Sequence, residues 1–266
     1  MLNKIVVYSN TDYCDILKIE TDYILKNKNN ILFINKNTLN LQQIYSSYQE
    51  VVFYDNNLPY SSRLLQCLEQ IKEEHILLTH DIDIVLSMEQ EKIENLKNLM
   101  IEQNLDRIDL KHSNKTQSDS YIELDKNCNL SRLCNTTPNC EMFLMKQNDI
   151  NNYIFNVNPS IWKVSTLKNI LKTFPEKTYR NIEDLDVQYY CRKFNIYKIF
   201  SNNYIKCGYY NCLDFYKFLH ITHSGKILSL NKECVTEYGQ SYKDVESEFH
   251  NIIKKYDLKN SNKWRS

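Results

Sequence analysis

The sequence predicts an α/β domain, a mixed, mostly parallel sheet flanked by helices. Three observations predict it. Apolar runs of strand length alternate with segments of helical period over the first 110 residues. The 266 residues are 42% hydrophobic and 12% aromatic, enough to bury a sizeable core. No apolar run approaches the roughly 20 residues of a membrane helix, so no membrane span is expected.

Ile5 to Tyr8 reads as the first strand, and Asp12 to Leu25 as a helix carrying Ile16, Leu17, Ile19, Ile24 and Leu25. Ile31 to Ile34 is a second strand, Leu39 to Tyr45 a short helix, and Val51 to Tyr54 a third strand closed by Asp55-Asn56-Asn57. After Pro59, Ser61 or Ser62 caps a helix with Leu64, Leu65, Leu68 and Ile71 on one side. Ile76 to Leu78 is a fourth strand, Glu89 to Gln103 a helix with Ile93, Leu96 and Met100 on one face, and Ile108 to Leu110 a further strand. Strands separated by helices form right-handed crossovers and parallel pairs.

The second half is smaller and less regular. Residues 111 to 140 read as an irregular loop with a hairpin near Tyr121 to Leu124. Met142 to Met145 and Tyr153 to Val157 read as strands, and Pro159 opens a helix to Leu171. Glu183 to Phe194 is a helix, Ile196 to Phe200 and Phe218 to Thr222 are strands, and Tyr242 to Tyr256 is an amphipathic helix. With no repeat and no linker, residues 1–266 form a single domain, divided as 1–110, 111–235 and a C-terminal helical segment, 236–266.

Composition excludes several classes. Lys plus Arg and Asp plus Glu are both 33, so no basic surface is implied and no nucleic-acid partner is expected. The 3 glycines, Gly208, Gly225 and Gly239, permit neither a dinucleotide fingerprint nor a P-loop nor a G-x-S-x-G elbow. The 9 cysteines include no C-x-x-C pair, and Cys128, Cys134 and Cys140 are too widely spaced for a zinc knuckle, so reduced thiols in the cytoplasm are expected. The chain has no alanine and abundant Asn, Lys, Ile and Tyr, which points to an AT-rich genome such as that of a large DNA virus (placing the protein in the host cytoplasm), a parasite or a low-GC bacterium.

Ligands of such sheets bind at the carboxyl ends of the strands. The segment HILLTHDIDIVLS puts Asp81 and Asp83 there, directly after the fourth strand. On an extended stretch the two carboxylates face one side and suit a divalent cation. A polar strand end with solvated acids is the plain alternative.

An alternating strand-helix half that ends in an apolar strand and D-x-D, without phosphate-binding glycines, resembles the GT-A nucleotide-sugar glycosyltransferases, of the small bacterial and giant-virus type. YDNNLPYSSRLLQCLEQIKEEHILLTHDID is similar to their segment before the D-x-D strand. NPSIWKVSTLKNIL and YRNIEDLDVQYY are similar to their acceptor-side region. The resemblance covers roughly residues 4 to 230. It implies a GT-A-like, Rossmann-type fold with a nucleotide-binding half (1–110) and an acceptor and catalytic half (111–235). It also implies metal-dependent, inverting transfer of a sugar from a nucleoside diphosphate donor, UDP by family frequency, to a glycan or other hydroxyl acceptor. The rivals are a non-catalytic nucleotide- or glycan-binding module and a sugar-phosphate nucleotidyltransferase.

Carried over residue by residue, the resemblance makes Asp83 the ligand of Mn²⁺ (or Mg²⁺) and Asp81 the second contact. It adds one imidazole from FLHITHSGKIL, His223 in preference to His220, with Gly225 and Lys226 receiving a phosphate. Ser9, Asn10, Thr11, Asp12, Asp55 and Arg63 surround the base, ribose or phosphates, although Ser9 and Asp12 also suit helix caps. Glu183 and Asp184 open a helix as the candidate general base, Asp184 preferred, while acids there also suit the helix dipole alone. Asp186 and Asn158 fall on the acceptor side. Trp162 is either a platform for a sugar ring or a core residue. Loop 111–120, with His112, Ser113 and Lys115, is a lid or a plain surface loop.

Overall fold

The computed structural model describes residues 4–24, 30–36, 41–111, 118–135, 140–149, 153–207, 211–223, 226–227 and 241–260. A ten-stranded mixed sheet runs through both halves. Its first half is β1 (Lys4–Tyr8), β2 (Asn30–Ile34), β3 (Glu50–Phe53) and β4 (His75–His80), parallel in the order β3-β2-β1-β4. These strands are nearly continuous apolar runs because helices cover both faces. α1 (Cys14–Ile24), α3 (Tyr60–Leu68) and α4 (Gln90–Glu102) supply the crossovers, with α2 (Gln42–Tyr45) as a short turn of helix. Beyond β4 the order continues β10-β6-β11-β9-β7-β8, with β6 (Arg107–Asp109), β7 (Tyr121–Leu124), β8 (Leu130–Cys134), β9 (Met142–Lys146), β10 (Ser160–Lys163) and β11 (Ile196–Ser201). β6 and β11 are parallel, and the other pairings in this half are antiparallel.

Two cores cover the two faces. Ile5 and Val7 of β1 point into one, which also holds Leu96 of α4 and Phe249 and Ile252 of the C-terminal helix α7 (Glu246–Lys255). Val6 and Tyr8 point into the other, under α3, α5 (Val164–Thr173) and α6 (Leu185–Cys191). The first core is closed by a second, four-stranded sheet of β5 (Asp83–Met88), β12 (Tyr204–Lys206), β13 (Asn211–Leu213) and β14 (Tyr216–His220), in the order β12-β13-β14-β5. A two-stranded ribbon of β15 (Thr222–His223) and β16 (Lys226–Ile227) follows.

Several expectations are corrected. Residues 160–163 are a strand, not the start of a helix. Ile161 and Trp162 bury themselves in opposite cores, which requires a period of two, and helix α5 begins at Val164. Residues 153–157 are bends, with Phe155 held on both backbone atoms by the Gln188 amide (2.8 Å each) in place of a strand partner. β5 and its sheet continue the chain where the sequence suggested only the end of β4. Helix α3 starts at Tyr60 with Pro59 as its N-cap. Ser61 is buried, and Ser62 Oγ donates to Pro175 O (2.8 Å) rather than capping. The helices read from Glu183 and Tyr242 begin at Leu185 and Glu246. Leu39, and His112, Ser113 and Lys115 of the suggested lid, lie outside the described residues. No described helix is long and apolar enough to cross a membrane, and the described cysteines are free thiols.

Candidate functional site

The carboxyl ends of β1 and β4 lie side by side, Tyr8 opposite His80. There the chain turns away on both strands, and the first polar residues meet. Ser9 Oγ donates to Asp81 Oδ2 (2.8 Å), and Asn10 N approaches the same oxygen at 3.4 Å. Tyr54, just past β3, donates its hydroxyl to Ser9 O (2.7 Å) and stacks on Tyr8 with centroids 5.1 Å apart. These groups wall a cleft of about 220 Å³, lined also by Tyr60, Arg63, His80 and Tyr179. The Arg63 guanidinium lies 5.4 Å from the Tyr54 ring and donates to Asn56 Oδ1 (2.8 Å). Burial pushes the Tyr54 phenol up to about 12 and holds the His80 imidazole down to about 4, so both are neutral near pH 7. His80 Nε2 shares a hydrogen bond with the Tyr60 hydroxyl (2.8 Å), and Tyr179 meets both rings edge-on.

Asp81 and Asp83 do not share the side of one extended strand. Asp81 and Ile82 form a turn between β4 and β5, and Asp83 opens β5 in the second sheet. Asp81, 7% exposed, faces the cleft, and Asp83, 1% exposed, is paired with His220 across the β5–β14 ladder, Oδ1 to Nδ1 at 2.8 Å. Tyr242 donates to His220 O (3.0 Å) and fixes that strand end. The backbones of His223 and Lys226 pair in the ribbon. Their side chains, and Gly225, lie outside the described residues. Carboxylate and imidazole are donor types that a hard or borderline divalent cation accepts, but Asp81 faces the cleft while Asp83 is engaged by His220. Among the described residues no three His, Cys, Asp or Glu side chains gather around one point.

The acidic run before α6 divides by environment. Glu183 turns inward and accepts from Val157 N at Oε1 (2.8 Å). Burial raises its carboxyl above the usual glutamate range, against the opposing charges of Lys111 and Arg107. Asp184 is the N-cap residue of α6 and makes no side-chain cap. It and Asp186, each 52% exposed, share the Lys177 ammonium at 3.2 and 2.9 Å.

Other predicted residues stand apart from the cleft. Asp12 is exposed in a short 3-10 turn, Thr11–Tyr13, that is capped by Asn10 Oδ1 on Asp12 N (2.9 Å). Thr11 N donates to Asn35 Oδ1 (2.9 Å). Asp55 does not line the cleft, and its Oδ1 instead closes its own turn on Asn57 N (2.9 Å). Trp162 is not a sugar platform: it is 1% exposed, lies under the Arg107 guanidinium (4.7 Å) and packs on Phe155 (5.6 Å). Asn158 is buried, and its carbonyl accepts from Ser160 Oγ (2.8 Å). His80 falls in the strand-end stretch His80 to Asp83 that the sequence marks as ligand-facing, whereas sequence reasoning missed Tyr8, Tyr54, Tyr60 and Tyr179. The available signal was a tyrosine at the end of β1 and another just past β3, hidden among 20 in the chain.

No family model matches the chain, and no curated protein matches it. Solved structures do, faintly. The chain is similar to TarS residues 1–349 from S. aureus in complex with UDP-GlcNAc (12% identity, TM-score 0.47, covering 98% of this chain and 68% of that one). It is also similar to a cytidylyltransferase from Leptospira borgpetersenii (9%, TM-score 0.44, 98% and 99%). A third is the bifunctional IspDF from Campylobacter jejuni (12%, TM-score 0.37, 74%), of which the chain spans 49%.

Proposed function

We propose that the protein transfers a sugar from a nucleoside diphosphate donor to a hydroxyl acceptor. The observation that carries this reading is the cleft after β1 and β4, where a buried carboxylate, Asp81, sits among aromatic rings beside one guanidinium, Arg63. A nucleoside needs that combination. Rings pack against base and ribose, a carboxylate accepts from ribose hydroxyls, and a guanidinium meets the base or a phosphate. The loop Ser9–Tyr13 has no glycine and no basic residue to cradle a triphosphate. That favours a ready-made sugar nucleotide over nucleotidyl transfer. The resemblance to GT-A enzymes adds UDP as the carrier.

Asp81 and Asp83 would hold Mn²⁺ or Mg²⁺, which supplies charge neutralisation at the diphosphate as it leaves. Glu183 is the group we assign as general base. It is half-buried, faces inward and is oriented by Val157 N, whereas Asp184 is tied to Lys177 at the surface. The acceptor oxygen attacks the anomeric carbon, its proton passes to a Glu183 carboxylate oxygen, and the bond from that carbon to the diphosphate oxygen breaks with inversion.

The test is thermal unfolding against nucleoside diphosphates and sugar nucleotides, with and without Mn²⁺, for the wild type and Asp83→Asn. A ligand at 100 times its Kd adds about 2.7 kcal/mol. The reading expects a shift with one nucleotide that needs Mn²⁺ and is lost in the variant. No shift with any nucleotide would refute it.

A further inference from the structure

We propose that the carboxyl end of β6 and the middle of β11 beside it form an anion subsite next to the donor cleft, built on Lys198 and Lys111, and that one of the two transfer substrates carries a phosphate or carboxylate that occupies it. The subsite stands on geometry alone, and only its assignment to a transfer substrate rests on the function proposed above.

Strand register puts the two lysines there. Asp109 pairs with Ser160 on one side and with Lys198 on the other, and Ser160 pairs with Leu78 of β4. Leu78, Ser160, Asp109 and Lys198 therefore stand at one level across four strands. Two residues further on, Lys111 stands level with His80, and His80 with Tyr8. Two strand spacings, roughly 10 Å, separate β6 from β4. The floor of the donor cleft thus continues sideways to Lys111, with Lys198 one layer below. Leu78 and Trp162 on this face belong to the core under α3, α5 and α6, the side from which Glu183 faces inward. Glu183 and Asp83 are among the charges that Lys111 feels.

Lys198 is the telling residue. It is 4% exposed, yet its ammonium makes no hydrogen bond among the described residues, and its one ion pair, to Asp109 Oδ2, is 3.8 Å long. Asp109 is already engaged by Asn156 Nδ2 (2.8 Å), by Lys111 N (3.0 Å) and by Arg107 at 3.8 Å. Arg107 has its own partners, donating to Ser160 Oγ (3.0 Å), Ile154 O (3.1 Å) and Asn156 Oδ1. Buried ammonium groups are ordinarily hydrogen-bonded to an acceptor, since leaving one without is costly. An anion entering beside Lys111 supplies those acceptor oxygens. Burial and the Lys198 charge together draw the Lys111 amine down to about 7, although Asp109 opposes them, and a bound anion would raise it again.

The test is a melting titration with inorganic phosphate at constant ionic strength, chloride as reference, in saturating UDP and Mn²⁺ so that the donor cleft is filled. The wild type should gain melting temperature saturably. Lys198→Met, which keeps length and suits an apolar site, should lose the phosphate response and keep the UDP response, and Lys111→Met should weaken it at least fivefold. Two matched pairs then locate the anion: UDP-glucuronic acid against UDP-glucose, and a sugar phosphate against the free sugar as acceptor. A preference of tenfold or more in one pair, lost in Lys198→Met, assigns the anion to donor or acceptor. A phosphate response no larger than that of chloride, one that survives in Lys198→Met, or no preference in either pair would overturn the proposal. Should UDP itself give no response, the function proposed above fails, while the phosphate titration without nucleotide still decides the subsite.

Discussion

Replacing Glu183 by Gln removes a proton acceptor and leaves nearly everything else. The Val157 N–H bond, 2.8 Å to Oε1, survives because the amide oxygen accepts as well. The Gln188 bond goes to the Glu183 backbone and is untouched. Stability should therefore change by less than about 1 kcal/mol. Turnover should fall by about 10²–10⁴, the usual share of a general base, which is roughly 2.7–5.5 kcal/mol of barrier. Burial raises the carboxyl of Glu183, so the wild type should lose activity on acidification at a pH above the ordinary glutamate range, and Glu183→Gln should lose that limb. The linkage has the same origin. With its folded pKa above the unfolded one, the group's contribution to stability is complete below the unfolded pKa and is lost as pH rises through the folded one. Glu183→Gln should accordingly gain on the wild type between acid and neutral pH in urea titrations. Asp184→Asn is the control: an exposed ion pair to Lys177 is worth at most about 1 kcal/mol, and turnover should stay within about threefold. The assay is release of nucleoside diphosphate from the sugar nucleotide, followed against pH. A hundredfold loss in Asp184→Asn with Glu183→Gln near wild type would refute the assignment.

Three further outcomes are expected. Arg107→Met strips the hydrogen bonds to Ser160, Ile154 and Asn156 and leaves Asp109 with a weakened counter-charge, so it should cost about 3–5 kcal/mol in urea unfolding. Glu20, fully buried on α1 with neither carboxylate oxygen hydrogen-bonded in the described structure, has its carboxyl pushed well above the usual range by burial. Stability should therefore fall as pH rises above the unfolded glutamate range, and Glu20→Gln should flatten that dependence. Arg63→Ala removes a guanidinium that touches only Tyr54 and Asn56 among the described contacts, so it should weaken nucleotide binding by about 0.5–1 kcal/mol, read by calorimetry, with the melting temperature of the free protein nearly unchanged.

The first half was legible because its signals are local. β1 to β4 are apolar runs of strand length, and α3 and α4 carry a helical period between them, so each element could be read within its own window. The second half resists because its elements are specified by partners far along the chain. Ser160–Lys163 looks like the first turn of the helix that follows. It is a strand only because β4 and β6 offer a slot that buries Ile161 and Trp162 on opposite faces. Within the bends at 153–157, Phe155 takes both its backbone hydrogen bonds from Gln188, some 30 residues away, which no window of strand or helix length contains.

The same distinction separates the two parts of the site. D-x-D is visible because of its position directly after an apolar strand, even though the geometry implied, a shared strand face, gives way to a turn that holds Asp81 while Asp83 opens the second sheet. Arg107, Asp109 and Lys111 alternate with Ile108 and Leu110, which in sequence is the pattern of a strand with one solvated face. In the fold that charged face is covered by the segment before β10 and by α6, leaving Arg107 and Asp109 at 0% and 1% exposed. Alternation reports only that two faces differ, and it does not say which one meets water. A buried row of charges therefore has the signature of an exposed one. Its cost is met by Ser160, Asn156 and the Ile154 carbonyl, all supplied by the 154–160 segment whose Val157 amide also orients Glu183. One irregular stretch thus braces both the candidate base and the cationic pair, so a substitution that reshapes it should disturb both together, whereas Lys198→Met should disturb the second alone.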